Sequence, residues 1–208
     1  MKKCVLLLFT IICSGCSVFF TPQKDTSISY SFRMPPVKET KSITKDFVVS
    51  VNIDNVPEYL TYPYIPKKVD NLEFNFSHEH RWAMNFKEMC QQLIISKMAE
   101  IAEMSDSEVL SKSLISSRKF LSQQKIKPKM TVAVTIDDLI FDASAQRVDL
   151  KCRWVLKSDS ETQPLVFDYQ TYHIADSQKY EDIVQATAQV LEDLSRDICE
   201  KMASIENR

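Results

Sequence analysis

The segment 59–101 constrains the fold of this chain more than any other part of the sequence. It holds a strand-like run at 72–76, followed by Arg81-Trp82-Ala83, which is predicted to open a long amphipathic helix. At 100° per residue the apolar side chains of this helix form one broad stripe, made of Trp82, Ala83, Phe86, Met89, Cys90, Leu93, Ile94 and Ile101. Such a stripe must be covered by a second apolar surface, and the alternating segments elsewhere in the chain predict that this surface is a sheet.

The remaining elements follow from the same two periodicities. Alternation predicts strands at 28–34, 46–53, 72–76, 130–141, 147–157 and 165–173. A capping box at Ser105-Asp106-Ser107-Glu108, with Val109, Leu110, Leu114 and Leu121, predicts a short second helix, and 180–202 predicts a long last one. The sequence therefore predicts an α+β fold in the order βββα(α)βββα. In this fold a mostly antiparallel sheet of about six strands is covered by two long amphipathic helices.

The segment 57–66 carries three prolines and three tyrosines and is predicted to be an exposed, semi-rigid excursion rather than a central strand. Tyrosines on a stiff loop offer a large contact area at low entropic cost. Tyr59, Leu60, Tyr62 and Tyr64 are therefore candidate partner-binding residues. The alternative is that these rings fold back and cap the end of the core.

Glycine is almost absent, since Gly15 is the only one. Positive backbone φ angles are therefore expected at Asn52, Asp54 and Asn55, whose short polar side chains tolerate them best. The lack of glycine also excludes a Walker A loop, a dinucleotide fingerprint and a Gly-x-Ser-x-Gly nucleophile elbow. We expect no catalytic residues and no cofactor.

Metal and nucleic acid are also not expected as ligands. His78-Glu79-His80 places two imidazoles on one side of a strand, but a structural zinc site needs four ligands and the sequence offers no others nearby. Loss of Lys2 and Lys3 with a signal peptide lowers the 26 basic side chains to 24, against 28 acidic ones, for a net charge of about −4 after acylation. Clustered basic side chains, which phosphate binding requires, are missing.

The first fifteen residues have the form of a signal peptide. Lys2-Lys3 precede an apolar run that ends in Ser14-Gly15-Cys16, a resemblance to a bacterial lipobox. We expect 1–15 to be removed, Cys16 to carry the acyl chains, 16–27 to form the lipidated tether and 28–208 to form one periplasmic domain. Ser17 points to the outer membrane for lipoproteins of this class. The alternative is an ordinary secreted protein cut nearby.

The mature chain keeps three further cysteines, Cys90, Cys152 and Cys199, all at apolar positions. We interpret them as small buried hydrophobes, although one disulfide among the three stays open in an oxidising compartment.

The chain resembles the ABC-type transport auxiliary lipoproteins, PqiC-like proteins that accompany MCE lipid-transport systems. The resemblance is carried by four features in the order typical of that family: Tyr59-Leu60 after a strand, His80-Arg81-Trp82-Ala83, Phe141-Asp142 closing a strand, and Leu150 to Trp154 in the next strand. Trp82 and Trp154 are expected to be structural. Arg81 is expected to form an internal pair, with a partner contact as the alternative.

The resemblance implies a non-enzymatic docking component anchored to the periplasmic face of the outer membrane by its acyl chains. It implies an MCE-domain protein of a periplasm-spanning transporter as partner, and a ring-like homo-oligomer. The alternative is a lipoprotein of another outer-membrane assembly, which would share the anchor and differ in its partner.

Overall fold

A computed structural model describes residues 25–33, 47–70, 73–105, 113–159 and 163–206. Cys16, the predicted cleavage site and most of the predicted tether lie outside the described residues. In chain order the elements are β1 (Ile28–Tyr30), β2 (Phe47–Asn55), a 3₁₀-helix (Glu58–Leu60), β3 (Tyr64–Lys68), β4 (Phe74–Trp82), α1 (Phe86–Met104), β5 (Ser113–Ser117), α2 (Arg118–Gln123), β6 (Met130–Asp142), β7 (Arg147–Ser158), β8 (Leu165–Ile174) and α3 (Tyr180–Glu206).

The strands form one eight-stranded mixed sheet organised on β6. One edge of β6 pairs antiparallel with β7, which pairs antiparallel with β8. The other edge is shared: β2 pairs with its first half in parallel, and β3 pairs with its last two residues, Phe141 and Asp142, also in parallel. Beyond these strands lie β5 on β2, and β4 and then β1 on β3. The α+β class and the two long helices are confirmed, but the mostly antiparallel sheet of about six strands and the order βββα(α)βββα are wrong.

The two long helices cover the sheet. Side chains of α1 and α3 with no solvent exposure include Met89, Leu93, Ile94, Met98, Val190, Leu191, Leu194 and Ile198. They join one core with the equally buried Val49, Val51, Val132, Val134 and Trp154 of the strands. The helices also contact each other, since Lys97 Nζ lies 3.2 Å from Glu192 Oε1.

The helix α1 begins later than the sequence predicts. β4 continues to Trp82, and the helix starts at Phe86 with Asn85 as its N-cap, whose side chain accepts a hydrogen bond from Glu88 N at 3.2 Å. The sequence places Trp82 in the helix because it continues the apolar stripe of Phe86 and Met89. A strand residue that packs on the same core is buried in the same way, so periodicity alone does not distinguish the end of β4 from the start of α1.

The predicted second helix is wrong over its central part. Residues 106–112 lie outside the described residues, but Ser113–Ser117 is the strand β5, which pairs in parallel with β2. Only the short α2 follows, capped by Ser117, whose hydroxyl accepts from Phe120 N at 3.2 Å. The spacing of Leu114 and Leu121 suits a helix. In the structure, however, Ser113 and Ile115 are buried at every second position, as in a strand, and the segment pairs with β2.

The proline-rich segment also differs from the prediction. Its first half forms the 3₁₀-helix, and its second half is β3, which lies between β4 and β6 in the sheet. Pro66 is tolerated there because the register of β3 on β4 is broken between Tyr64 and Pro66, while β6 pairs only with Lys67 and Lys68. The proline, paired with Phe76, therefore stands at an irregularity of the ladder, one of the places where a strand accepts it.

The turns are made without glycine, as expected, but at other positions. The predicted hairpin between β6 and β7 is confirmed, and Asp142 Oδ1 accepts from Ser144 N at 2.9 Å and Ala145 N at 3.0 Å. Within the described residues, positive φ occurs at Lys125 and Gln146. The prediction of positive φ at Asn52, Asp54 and Asn55 is wrong, because all three lie in the extended strand β2.

Candidate functional site

Arg81 holds the end of the predicted tether to the domain. Its Nη2 donates to both carboxylate oxygens of Asp25 at 2.8 Å. Ser27 N donates to Asp25 Oδ1 at 3.0 Å. Hydrogen bonds from Ser27, followed by the positive charge of Arg81, hold the pKa of Asp25 below its usual value. The structure thus places Arg81 in a pair within the chain, which is the first of the two alternatives that the sequence left open.

Two of the four candidate partner-binding residues pack on the core, Leu60 as a buried residue and Tyr59 as a partly buried one. Leu60 is 2% exposed. The Tyr59 hydroxyl donates to Asp138 Oδ1 and accepts from Leu139 N at 3.1 Å. Burial, and then the hydrogen bond to Asp138, raise the pKa of Tyr59. These contacts fit the alternative interpretation, in which the rings of this segment cap the core.

The other two candidates belong to an exposed group of rings, which we call the aromatic surface: Tyr62, Tyr64, Phe74, Phe76 and His78. Tyr62 packs edge-on against Phe76 with ring centroids 6.3 Å apart, and Tyr64 packs against His78 at 5.2 Å. Tyr62 is 49% and Phe74 42% exposed. Rings that pack against each other while staying open to solvent form a preorganised contact surface.

A second aromatic group, which the sequence did not reveal, joins β1, β3 and β4 to the start of α3. The rings of His80 and Tyr180 are stacked, with centroids 3.9 Å apart. The Tyr30 hydroxyl lies 2.9 Å from His80 Nδ1 and donates to Glu181 Oε1 at 3.0 Å. Because a hydroxyl carries one proton, His80 Nδ1 is the donor to Tyr30. Burial of the Tyr30 hydroxyl, followed by its hydrogen bond to Glu181, raises the pKa of Tyr30 to about 12.

Lys67 completes this group. Its Nζ lies 3.8 Å from the centroid of the Tyr180 ring and donates to the carbonyl oxygen of Gln178 at 2.7 Å. Burial lowers the pKa of Lys67. The polar groups of Tyr30, His80, Glu181 and Lys67 thus all take part in contacts that join α3 to the sheet. In the sequence, the shared parity of Phe76, His78 and His80 is the one hint of this group. It places the three rings on one side of a strand but does not identify their partners.

The two tryptophans are core residues. Trp82 is 5% exposed and its ring lies 4.7 Å from that of Phe86. Trp154 is fully buried, stacks on Phe167 at 4.2 Å and donates from Nε1 to Asp197 Oδ2 at 3.3 Å. Trp82 and Phe86 also line a cavity of about 10 Å³, between β3, β6 and α3, which has room for at most one water molecule.

The described residues offer little for metal or thiol chemistry. Within 25–33, 47–70, 73–105, 113–159 and 163–206, no group of three His, Cys, Asp or Glu side chains is placed to hold a metal ion. Cys90, Cys152 and Cys199 are free, buried thiols, as interpreted from the sequence. Burial raises the pKa of Cys90 well above its usual value and that of Cys152 and Cys199 to about 12. None of the described helices is long and apolar enough to cross a bilayer.

The fold is shared with solved structures of low sequence identity. A crystal structure of an uncharacterized protein has a TM-score of 0.67 and 13% identity, and the match covers 85% of this chain and 99% of that one. The crystal structure of protein XCC0632 from Xanthomonas campestris, assigned to the family DUF330, has a TM-score of 0.58 and 12% identity, with 77% and 87% covered. At these identities the likeness shows the fold alone.

The sequence comparison identifies the family. No curated protein sequence matches the chain. Residues 30–199 match the family model described as "ABC-type transport auxiliary lipoprotein component". This match begins at Tyr30, which contacts His80, and ends at Cys199 in α3. It spans α1, most of α3 and every strand beyond the first two residues of β1. The chain therefore belongs to the family of ABC-type transport auxiliary lipoprotein components.

Proposed function

We propose that this protein is a non-enzymatic accessory and docking component of an MCE-type, ABC-linked lipid transport system. In this proposal it is anchored to the periplasmic face of the outer membrane. The observation that carries the proposal is the family match over residues 30–199, behind a lipobox and a short tether. The MCE partner and the ring-like homo-oligomer come from the resemblance of His80-Arg81-Trp82-Ala83 and the related segments to PqiC-like proteins.

The anchor part of the proposal rests on Cys16. Ser14-Gly15-Cys16 has the small residues that precede a lipidated cysteine, and Ser17 favours the outer membrane within this class. More than one acyl chain on the same residue gives stable membrane attachment, whereas one myristoyl chain gives only marginal binding. The Asp25–Arg81 pair supports an anchored function, because it ties the end of the tether to the folded domain.

The non-enzymatic part rests on the chemistry of the candidate groups. The three thiols are held protonated by burial, which makes them poor nucleophiles. The Tyr30 hydroxyl contacts His80, and the Tyr180 ring is in contact with both His80 and Lys67. These side chains are used in packing rather than in lining a pocket. The groups that catalysis would require are thus held in packing contacts, which supports a binding role rather than a catalytic one.

Of the residues predicted to bind a partner, Tyr62 and Tyr64 are the ones we retain for contact outside the domain. Tyr59 and Leu60 pack on the core and support the base of this surface, Tyr59 through its contact with Asp138.

The proposal is tested by crosslinking in living cells followed by affinity purification of the tagged, lipidated protein from envelope extracts. We expect an MCE-domain protein among the crosslinked products. A protein with Val166→Ser and Tyr172→Ser on the distant strand β8 serves as a control for exposed apolar residues. Recovery of components of a different outer-membrane machine, or of no transport component, would contradict the MCE role.

A further inference from the structure

We propose that the aromatic surface rests on the lipid headgroup layer of the membrane that carries the anchor. The inference rests on the proposed lipidation of Cys16, and it deepens that proposal by naming what the exposed rings contact. Three observations carry it: the place where the tether leaves the domain, the length of the tether, and the chemistry of the exposed rings.

The tether leaves the domain beside the aromatic surface. β1 pairs in parallel with β4, so that Ile28 lies opposite His80 and Tyr30 opposite Trp82. The Asp25–Arg81 pair holds the end of the tether beside Arg81, which is itself the register partner of Tyr64 on β3, a member of the aromatic surface.

The tether is short compared with the domain. Residues 17–24 can span at most about 28 Å when fully extended. A domain of about 180 residues has a radius of gyration of about 16 Å and so a diameter of roughly 40 Å. The side of the domain that holds Asp25 must then stay near the bilayer. The opposite edge of the sheet, at β8, is separated from β4 by β3, β6 and β7.

The exposed side chains fit a headgroup layer. Tyrosine rings have an apolar body and a polar tip, and such rings are enriched where a membrane meets water. Tyr62 and Phe74 expose nearly half of their surface. The acidic residues Glu73 and Glu79 are exposed in the same strand region. Contact with lipid therefore depends on the rings and not on a basic patch, which suits zwitterionic headgroups.

A bilayer also suits the position better than a protein does. A protein bound to the aromatic surface would have to enter the gap that the short tether leaves between the domain and the membrane. Lipid headgroups already fill that place. A partner that spans the periplasm would reach the domain from the other side.

The test measures quenching of tryptophan fluorescence by lipids that carry a nitroxide on the headgroup. The lipidated, full mature chain is placed in vesicles of phosphatidylethanolamine and phosphatidylglycerol that contain this labelled lipid, and vesicles without the label give the reference. Tyr62→Trp introduces the probe on the aromatic surface, and Tyr172→Trp introduces a matched probe on β8, where the tyrosine is 56% exposed. The native Trp82 and Trp154 are buried and give the baseline in the parent protein.

We expect loss of most of the emission that Tyr62→Trp adds, and no loss of the emission that Tyr172→Trp adds. Equal quenching of both probes, or none at Tyr62→Trp in vesicles that carry the protein, would overturn this inference and leave the anchor intact. If the emission of Tyr62→Trp changes only after an MCE-domain protein is added, the aromatic surface binds a protein partner instead. A chain that does not float with the vesicles would overturn the anchor and this inference together.

Discussion

The imidazole ring of His80 lies flat on the phenol ring of Tyr180, with centroids 3.9 Å apart and ring planes 13° from parallel. This contact joins the end of β4, where the His80-Arg81-Trp82-Ala83 segment lies, to the first residue of α3. Residues that mark the family in the sequence thus fasten the last helix to the sheet.

A double-mutant cycle of His80→Ala and Tyr180→Ala should show a coupling free energy of about 0.5–1.5 kcal/mol, the range of aromatic pairs. Urea unfolding of the four proteins measures it. Arg153 and Asp168 form an exposed ion pair on β7 and β8, and the same cycle on that pair should show no measurable coupling. Additive effects of the His80 and Tyr180 changes would mean that the stacked geometry contributes nothing.

Replacement of Tyr59 by Phe should lower the free energy of unfolding by about 1–3 kcal/mol, because the change removes the hydroxyl that donates to Asp138 and accepts from Leu139 N. Thermal or urea unfolding measures the loss. Tyr62→Phe is the matched control and should stay within about 0.5 kcal/mol of the parent. If the two variants unfold alike, Tyr59 is not the internal support described above.

Trp82→Ala should cost about 3–5 kcal/mol, as large-to-small changes in a core do. That loss approaches the whole stability of a typical domain of about 5–15 kcal/mol. Trp82→Phe should cost clearly less, because it keeps a ring beside Phe86 and, within the described residues, the indole N–H has no hydrogen-bond partner to lose. A Trp82→Ala protein that melts like the parent but no longer binds a partner would make this tryptophan an interface residue.

Arg81→Ala should free the end of the tether while leaving the core intact. The amide protons of Ser29 and Tyr30 should exchange faster with solvent, because Asp25 loses both of its contacts with Nη2. Hydrogen–deuterium exchange measures this, and the amides of β6 serve as the internal reference. Faster exchange in β6 as well would show that Arg81 supports the whole sheet.

Cys16→Ser should release the protein from membranes into the soluble periplasmic fraction. The acyl chains are the anchor in our proposal, and removal of them leaves the aromatic surface with too little contact to hold the domain alone. Fractionation of cells with immunodetection measures the distribution. Continued sedimentation with membranes after this change would contradict lipid anchoring at Cys16.

Most local elements of the fold and the pairing of β6 with β7 could be predicted from the sequence, and the long-range pairing could not. The hairpin of β6 and β7 follows from two alternating runs and a short polar turn, and the stripe of α1 follows from its period. The parallel pairing of β2 with β5 and β6 depends on which distant segments bury each other. No periodicity within one segment carries that information.

Two errors had a signal that could have corrected them. Asn85, with Glu88 three residues later, has the form of a helix N-terminus and would have placed Trp82 before α1. Tyr64 and Ile65 are residue types enriched in strands, and they begin β3 although prolines on both sides favour a loop. The stacked group of His80 and Tyr180 could not be predicted, because the parity of β4 marks His80 alone and the other members come from three separate segments.

The way β1 joins the sheet has a mechanical consequence. β1 has three residues, lies outside β4 and is the first described strand after the predicted tether. A pull on the tether would first load the Asp25–Arg81 pair and then draw β1 lengthwise along β4, so that its few hydrogen bonds resist together in shear instead of opening one at a time. Behind them, the Tyr30 contacts with His80 and Glu181 pass part of the load to α3. The longest helix and the edge of the sheet would thus share a pull on the tether.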